Sequence, residues 1–138
     1  MSVLGYVPGA YDMFHVGHLR ILEKSRRRCD RLVVGVVGDE LAAAARGQVP
    51  AVPLAERMEI VAAIPWVDDV VEDLSSDKAI AWERVRFDVL FKGDDWRGTP
   101  KGDRLEAAME ACGARVVYLP YTEEVSSTSL RAGLAAGR

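Results

Sequence analysis

Leu32-Val33-Val34-Gly35-Val36-Val37 is an unbroken apolar run of the kind that a strand with one wet face does not carry. A half-exposed strand alternates apolar and polar residues, whereas a continuous run marks a strand buried on both sides, as in a parallel sheet covered by helices. Shorter runs rich in Val give further strands at Val3–Val7, Asp69–Glu72, Val89–Lys92 and Arg115–Leu119, besides Arg31–Val37. Between them, helical periodicity covers Val16–Cys29, Glu40–Arg46, Leu54–Ile64, Ala79–Arg84, Arg104–Cys112 and Thr128–Ala136. Strands alternating with helices predict an α/β architecture, a five-stranded parallel sheet with helices on both faces. Val3 through Val37 has the size of one βαβ unit, whose crossover is expected to be right-handed. The breaks at Gly47–Pro53 and Gly93–Gly102 read as loops inside one domain spanning residues 1–138, with no repeat or long linker.

Bulk properties exclude several classes. A chain of 138 residues can bury roughly two-thirds of its unfolded surface. Its 18 Lys and Arg against 21 Asp and Glu leave a net charge of −3, so no basic excess suits a nucleic-acid backbone. No apolar stretch approaches the ~20 residues of a membrane span. Met1-Ser2-Val3-Leu4 lacks a basic region followed by an apolar one, so secretion is not expected and a cytoplasmic location is. Cys29 and Cys112 each close a helical pattern with no metal-type partner nearby, and read as free, buried thiols in a reducing compartment.

The chemistry concentrates where strands end. His15-Val16-Gly17-His18 holds the only two histidines, between the first strand with its Pro8-Gly9 turn and a helix carrying Leu19, Ile21 and Leu22. First-turn N–H groups of a helix are unpaired and favour anions. Imidazoles three residues apart share a face, and Gly17 between them admits close approach of a ligand. Asp12 falls in the preceding turn, where an Asx-type hydrogen bond is its ordinary role. A second site follows the fourth strand at Lys92-Gly93-Asp94-Asp95-Trp96, where two carboxylates could hold hydrated Mg²⁺ or a ribose and the indole would cover a ligand. A third spans Tyr121 to Arg131, where Ser126, Ser127 and Thr128 offer hydroxyls to a second helix start with Arg131 one turn inside. Two phosphate-suited helix starts, two histidines and no evident nucleophile fit the transfer of a nucleotidyl group, which needs in-line positioning and charge stabilisation rather than a covalent partner. Nearby phosphates would favour protonated imidazoles.

Gly9-Ala10-Tyr11-Asp12-Met13-Phe14-His15-Val16-Gly17-His18 resembles the GxFDxxHxGH segment of the HxGH nucleotidyltransferases. Within them the chain is most similar to the glycerol-3-phosphate cytidylyltransferases, through Asp39-Glu40, Arg57, Trp66-Val67-Asp68-Asp69-Val70, Gly93-Asp94-Asp95-Trp96 and Val116-Val117-Tyr118-Leu119-Pro120. That resemblance implies a Rossmann-like nucleotidyltransferase fold, a homodimer, and transfer of CMP from CTP to a phosphorylated alcohol such as glycerol 3-phosphate, with Mg²⁺ on the triphosphate and release of pyrophosphate. Carried over by position, His15 and His18 would contact the triphosphate as catalytic donors. Gly9, Ala10, Tyr11, Asp12 and Gly17 would line the nucleotide pocket, Gly93 and Asp95 the base and ribose side, and Tyr121, Thr122, Val125, Ser126, Ser127, Thr128 and Arg131 the phosphates. Arg57 and Arg46 would hold the substrate phosphate. No dedicated metal ligand, nucleic acid or membrane is implied.

The chain departs from that pattern. Ala10 replaces a threonine, Leu41 to Ala45 is apolar where the glycerol-phosphate enzymes are lysine-rich, and Tyr121 and Pro65 stand in for arginines. Either Arg57, Arg97 or Arg131 compensates, or the acceptor differs. Val125-Ser126-Ser127-Thr128-Ser129-Leu130-Arg131 resembles the ISSTxIR motif of adenylyltransferases as closely as the cytidylyl version, so ATP is the alternative nucleotide. The missing cations also motivate a competing reading, a nucleotide-binding module without catalysis. A dinucleotide oxidoreductase is disfavoured because the first turn lacks G-x-G-x-x-G.

Overall fold

A computed structural model of the chain describes residues 2–120. Strand β1 (Leu4–Gly9) is followed by helix α1 (Val16–Arg26), β2 (Arg31–Val37), α2 (Asp39–Arg46), α3 (Leu54–Ala62), β3 (Asp69–Asp73), α4 (Lys78–Val85), β4 (Val89–Gly93), α5 (Pro100–Cys112) and β5 (Arg115–Leu119). The strands form one parallel sheet in the order β3-β2-β1-β4-β5.

Alternation along the strands divides the core between the two faces, as their continuous apolar runs require. Val7, Leu32, Val34, Val36, Val89 and Phe91 pack with Leu22 of α1 and Val61 of α3. Tyr6, Val33 and Leu90 point the other way, against Ala81 of α4 and Leu105 and Met109 of α5. Gly35 interrupts β2 for a steric reason. A Cβ there would lie 1.9 Å from the Tyr6 hydroxyl, whose ring stacks on Phe87 at 4.8 Å.

Register opens the crevice that matters for function. β1 pairs with β2 as far as Gly9 opposite Val36, but its pairing with β4 covers only Gly5 with Val89 and Tyr6 with Leu90. Beyond Tyr6 the two central strands separate at their carboxyl ends. This is also where the connection order reverses across the sheet, the position at which open α/β sheets bind ligands.

Several boundaries differ from expectation. β1 continues through Pro8-Gly9 instead of turning there; Pro8 lies opposite Gly35 and beyond the last β1–β4 pair, so its missing N–H breaks no ladder on that side. α1 stops at Arg26, short of Cys29. α5 begins at Pro100, inside the expected Gly93–Gly102 loop, because the Thr99 hydroxyl accepts from Gly102 N at 3.1 Å and proline is tolerated at the first helical position. Cys29 and Cys112 are free but only half-buried, since each lies at the rim of the core rather than inside it. Among the described residues no helix is long and apolar enough to cross a membrane.

Candidate active site

The turn from β1 into α1 is held in a conformation that few side chains adopt freely. Tyr11 and Met13 both have positive φ, at 54° and 48°, flanking Asp12. Non-glycine residues in this region are strained and persist only where surroundings over-determine them. Asp12, 1 % exposed, accepts from Ala51 N at 2.8 Å and Val52 N at 2.9 Å, tying the turn to the segment before α3. The Tyr11 ring is buried, with its hydroxyl donating to Val7 O at 3.3 Å. The side chains of Tyr11 and Asp12, expected to line the nucleotide pocket, are thus spent inside the protein. What they bring to a ligand is the shape of the backbone. Ala10 does line the cleft described below.

The two histidines cap their own helix. His15 occupies the N-cap, where its Nδ1 accepts from Gly17 N at 3.0 Å; the His18 Nδ1 accepts from His15 N at 3.3 Å. The reciprocal arrangement is a capping box built from imidazoles. It consumes backbone donors that the sequence left open for an anion, and it sets the tautomers. With Nδ1 accepting on both rings, each neutral imidazole carries its proton on Nε2. The rings stack at 4.0 Å, inclined by 24°. His15 Nε2 is buried with no hydrogen-bond partner among the described residues. A buried N–H without an acceptor is costly, so this atom is a donor awaiting an anionic ligand.

Burial makes both rings neutral. The His18 pKa is pushed down to about 3, mainly by desolvation among Tyr11 and Phe14, whose rings each lie 5.3 Å away, and further by His15 and the Arg46 charge. His15 is lowered by burial as well. The expectation of protonated imidazoles concerned rings beside phosphate; without that charge, desolvation keeps both neutral.

Arg57 is placed differently from its expected role on substrate phosphate. The residue is fully buried. Its Nε donates to Val52 O, its Nη1 to Ala10 O and Val37 O, all at 2.7 Å, and its Nη2 pairs with Asp39 at 2.5 Å. The guanidinium is a strut between the ends of β1, β2 and the segment before α3, with no face for a ligand.

Where β1 and β4 part, a cleft of about 600 Å³ opens, bounded by Pro8, Gly9 and Ala10 on one side and α5 on the other. Arg46 reaches it from the end of α2, so that this expected phosphate ligand is at the site. Lys78, Lys92, Trp96, Lys101 and Arg104 also line it. Of these the sequence marks only Lys92 and Trp96, within the segment after β4, because the other cations come from separate elements and no local spacing links them. Gly93 ends β4 at the cleft's rim and starts the short turn Asp94–Trp96, on which Asp95 is exposed. Arg97 lies outside, its guanidinium 5.2 Å from the Tyr118 ring. Tyr121, Thr122, Val125, Ser126, Ser127, Thr128 and Arg131, with the final helix expected over Thr128–Ala136, lie outside the described residues.

A family model described as cytidylyltransferase-like matches residues 6–133. The chain belongs to the cytidylyltransferase-like family. Among curated relatives of this family, ethanolamine-phosphate cytidylyltransferase of Arabidopsis thaliana is 38 % identical over 130 residues, covering 91 % of this chain and 30 % of its own length. The bifunctional protein HldE of Halorhodospira halophila is 38 % identical over 123 residues, covering 88 % of this chain and 25 % of its own. The chain thus spans under a third of these relatives. A lipopolysaccharide core biosynthesis protein of Thermoplasma volcanium superposes with a TM-score of 0.78 at 22 % identity, over 89 % of this chain and 100 % of that one. Pantothenate synthetase of Thermus thermophilus gives 0.68 at 15 % identity, over 93 % and 61 %. These two likenesses bear on the fold, and they agree with the Rossmann-like sheet. The His-x-Gly-His segment pointed to the nucleotidyltransferases as a whole, and Gly93-Asp94-Asp95-Trp96 to the cytidylyltransferase branch that the family model matches.

Proposed function

We propose that the protein transfers a nucleotidyl group, CMP from CTP in the first instance, to the phosphate of a phosphorylated alcohol such as glycerol 3-phosphate, releasing pyrophosphate. The observation that carries this reading is the pair of stacked imidazoles with Nε2–H donors, set on the same β1–α1 connection whose Pro8, Gly9 and Ala10 line the cationic cleft, although neither histidine is among the described residues lining it. The acceptor's phosphate oxygen is already anionic and needs no base. It attacks the α-phosphorus in line, and the bond from that phosphorus to the bridging oxygen of the β-phosphate breaks. The Nε2–H donors stabilise the charge that grows on the α-phosphate oxygens and the departing pyrophosphate. Held rigidly by the capping box, they need no reorganisation at the moment of reaction. Arg46, whose charge helps to depress His18, lines the cleft and would bridge nucleotide and acceptor phosphates.

Among the described residues no three His, Cys, Asp or Glu side chains gather to hold a metal. A Mg²⁺ ion, which neutralises triphosphate charge, would therefore be held chiefly by the phosphate oxygens it accompanies. The homodimer implied by the family resemblance is part of this proposal; sedimentation as a monomer at assay concentration would remove it.

The decisive assay is pyrophosphate release with CTP or ATP, Mg²⁺ and a panel of phosphorylated alcohols. Turnover with CTP is expected. Preference for ATP would reassign the nucleotide, and nucleotide binding without turnover of any acceptor would support the non-catalytic module instead.

A further inference from the structure

A buried chain of polar groups runs from the core to the cleft, and the transfer chemistry gives it no task. Tyr6, within β1, is fully buried, yet its hydroxyl donates to Asp73 Oδ2 at 2.8 Å. Asp73 ends β3 and is itself buried. The same carboxylate oxygen lies 3.1 Å from the Lys78 ammonium, which also donates to Ser75 O at 2.9 Å. Lys78 opens α4 and lines the cleft. Residues from β1, β3 and α4 thus meet in one network.

Stability does not account for this arrangement. A lysine in the first turn of a helix stands against the macrodipole. Burying an ion pair costs desolvation that well-packed apolar residues would not incur. Position does account for it. A lysine ammonium rides on a flexible four-carbon stem. Here Asp73 and Ser75 O fix it from the protein side and leave donor capacity for the cleft it lines. Asp73 is fixed in turn. Burial, and then the Asp73 charge, raise the Tyr6 pKa, so the phenol stays a donor. The Tyr6 ring is held by stacking on Phe87 at 4.8 Å. The charge so placed is felt at the end of β4, because burial lowers the Lys92 pKa, Asp95 opposes that and Lys78 adds to it.

The two faces of the sheet indicate which ligand group the ammonium meets. α1, which carries the imidazoles, packs through Leu22 on one face, whereas α4 packs through Ala81 on the other. In-line displacement brings the attacking and leaving oxygens to phosphorus from opposite sides. With the imidazoles serving the α-phosphate and pyrophosphate, the α4 side is left to the acceptor. We infer that Asp73, oriented by Tyr6, is a positioning residue that aims the Lys78 ammonium at the acceptor's phosphate. The inference rests on the transferase reading and adds to it two residues that touch no ligand.

Equilibrium binding of glycerol 3-phosphate and of CTP to the full chain, by calorimetry, tests it. The ratio of the two affinities is read in each variant, so that a partly unfolded fraction cancels. Lys78→Met should weaken glycerol 3-phosphate relative to CTP by about tenfold, the worth of one charge-assisted hydrogen bond. Asp73→Asn tests the sign. Removing a negative charge near a phosphate site would by itself tighten binding, whereas loss of aim weakens it. Weaker glycerol 3-phosphate binding is expected; an unchanged or tighter one overturns the inference. Tyr6→Phe, which alters no charge, should weaken it several-fold alone and not at all in the Lys78→Met background. Equal losses in both backgrounds would make Tyr6 a core residue only and overturn its part. A wild type that binds no glycerol 3-phosphate overturns the whole. Pyrophosphate release keeps the two readings apart. Release by the wild type, with the ratio unmoved in Asp73→Asn, refutes the positioning and leaves the transferase standing. A lowered ratio in Asp73→Asn, with no release by the wild type from any acceptor, does the reverse.

Discussion

Arg57→Met is the substitution whose consequence the structure fixes most closely. Methionine fills much of the space of the arginine stem and adds no charge, so the loss isolates the guanidinium. Three carbonyls, of Ala10, Val37 and Val52, each lose a donor held at 2.7 Å. A hydrogen bond from a charged donor contributes about 1.5 kcal/mol net at the lower end, so the three together are worth about 4.5 kcal/mol. The Asp39 pair adds little to this, because that side chain is 41 % exposed and water can replace the guanidinium. The loss is comparable to much of the ~5–15 kcal/mol by which domains are stable. With a urea slope of about 2 kcal/mol/M, the unfolding midpoint should fall by about 2 M. Arg57→Lys should recover less than half, since an ammonium cannot span the same fork of acceptors. Nucleotide binding should fail together with folding, not before it, because Arg57 has no ligand face. A midpoint shift below about 0.5 M for Arg57→Met, or a folded variant that has lost only substrate binding, would refute the strut and restore the arginine to the substrate.

The histidine pair makes a pH prediction. A folded-state pKa of about 3 for His18 lies below the ~6.5 of the unfolded chain, so between those values the unfolded state binds more protons. The stabilising contribution is complete above about pH 6.5 and shrinks as pH falls towards 3, by about 2 kcal/mol at pH 5. Chemical denaturation of wild type against His18→Asn should show this difference narrowing at low pH. NMR should show a His18 ring that stays neutral at pH 5 without ligand. His18→Ala should lower kcat by about 10²–10³, the usual cost of one oxyanion donor, in the pyrophosphate assay; a near-normal kcat would remove the residue from the mechanism. Gly35→Ala should lower Tm by about 8 °C, the equivalent of ~2 kcal/mol of overpacking against Tyr6, as read by a circular dichroism melt. Gly102→Ala should disturb Trp96 rather than the core, because a Cβ there would lie 2.0 Å from Trp96 O; the readout is tryptophan fluorescence together with glycerol 3-phosphate affinity.

Thr99-Pro100 is a helix start that local pattern could have revealed. A hydroxyl followed by proline is such a signal, yet Gly98 and Gly102 on either side give the segment the look of a loop. Gly102 is there for a contact with the Trp96 carbonyl that only the folded chain makes. Arg57 is readable as important but not as buried. An arginine on a helix beside Glu56 and Glu59 has the pattern of a solvated face, and only the convergence of three carbonyls from distant segments draws it inside.

The layered α/β sheet was written in the order of residues, because strand and helix periodicities are local and the run from Leu32 to Val37 can be buried only from both sides. So was the His-x-Gly-His helix start, since the spacing of two rings on one helical turn is set within four residues. Folding had to supply the tautomers of those rings, through the reciprocal cap, and the early end of the β1–β4 pairing that opens the cleft. It also gathered Arg46, Lys78, Lys92, Lys101 and Arg104 from α2, α4, β4 and α5 around one space. Electrostatic fields add across space irrespective of order along the chain, so a chain with a net charge of −3 can present a strongly positive cleft that no composition or local motif reveals.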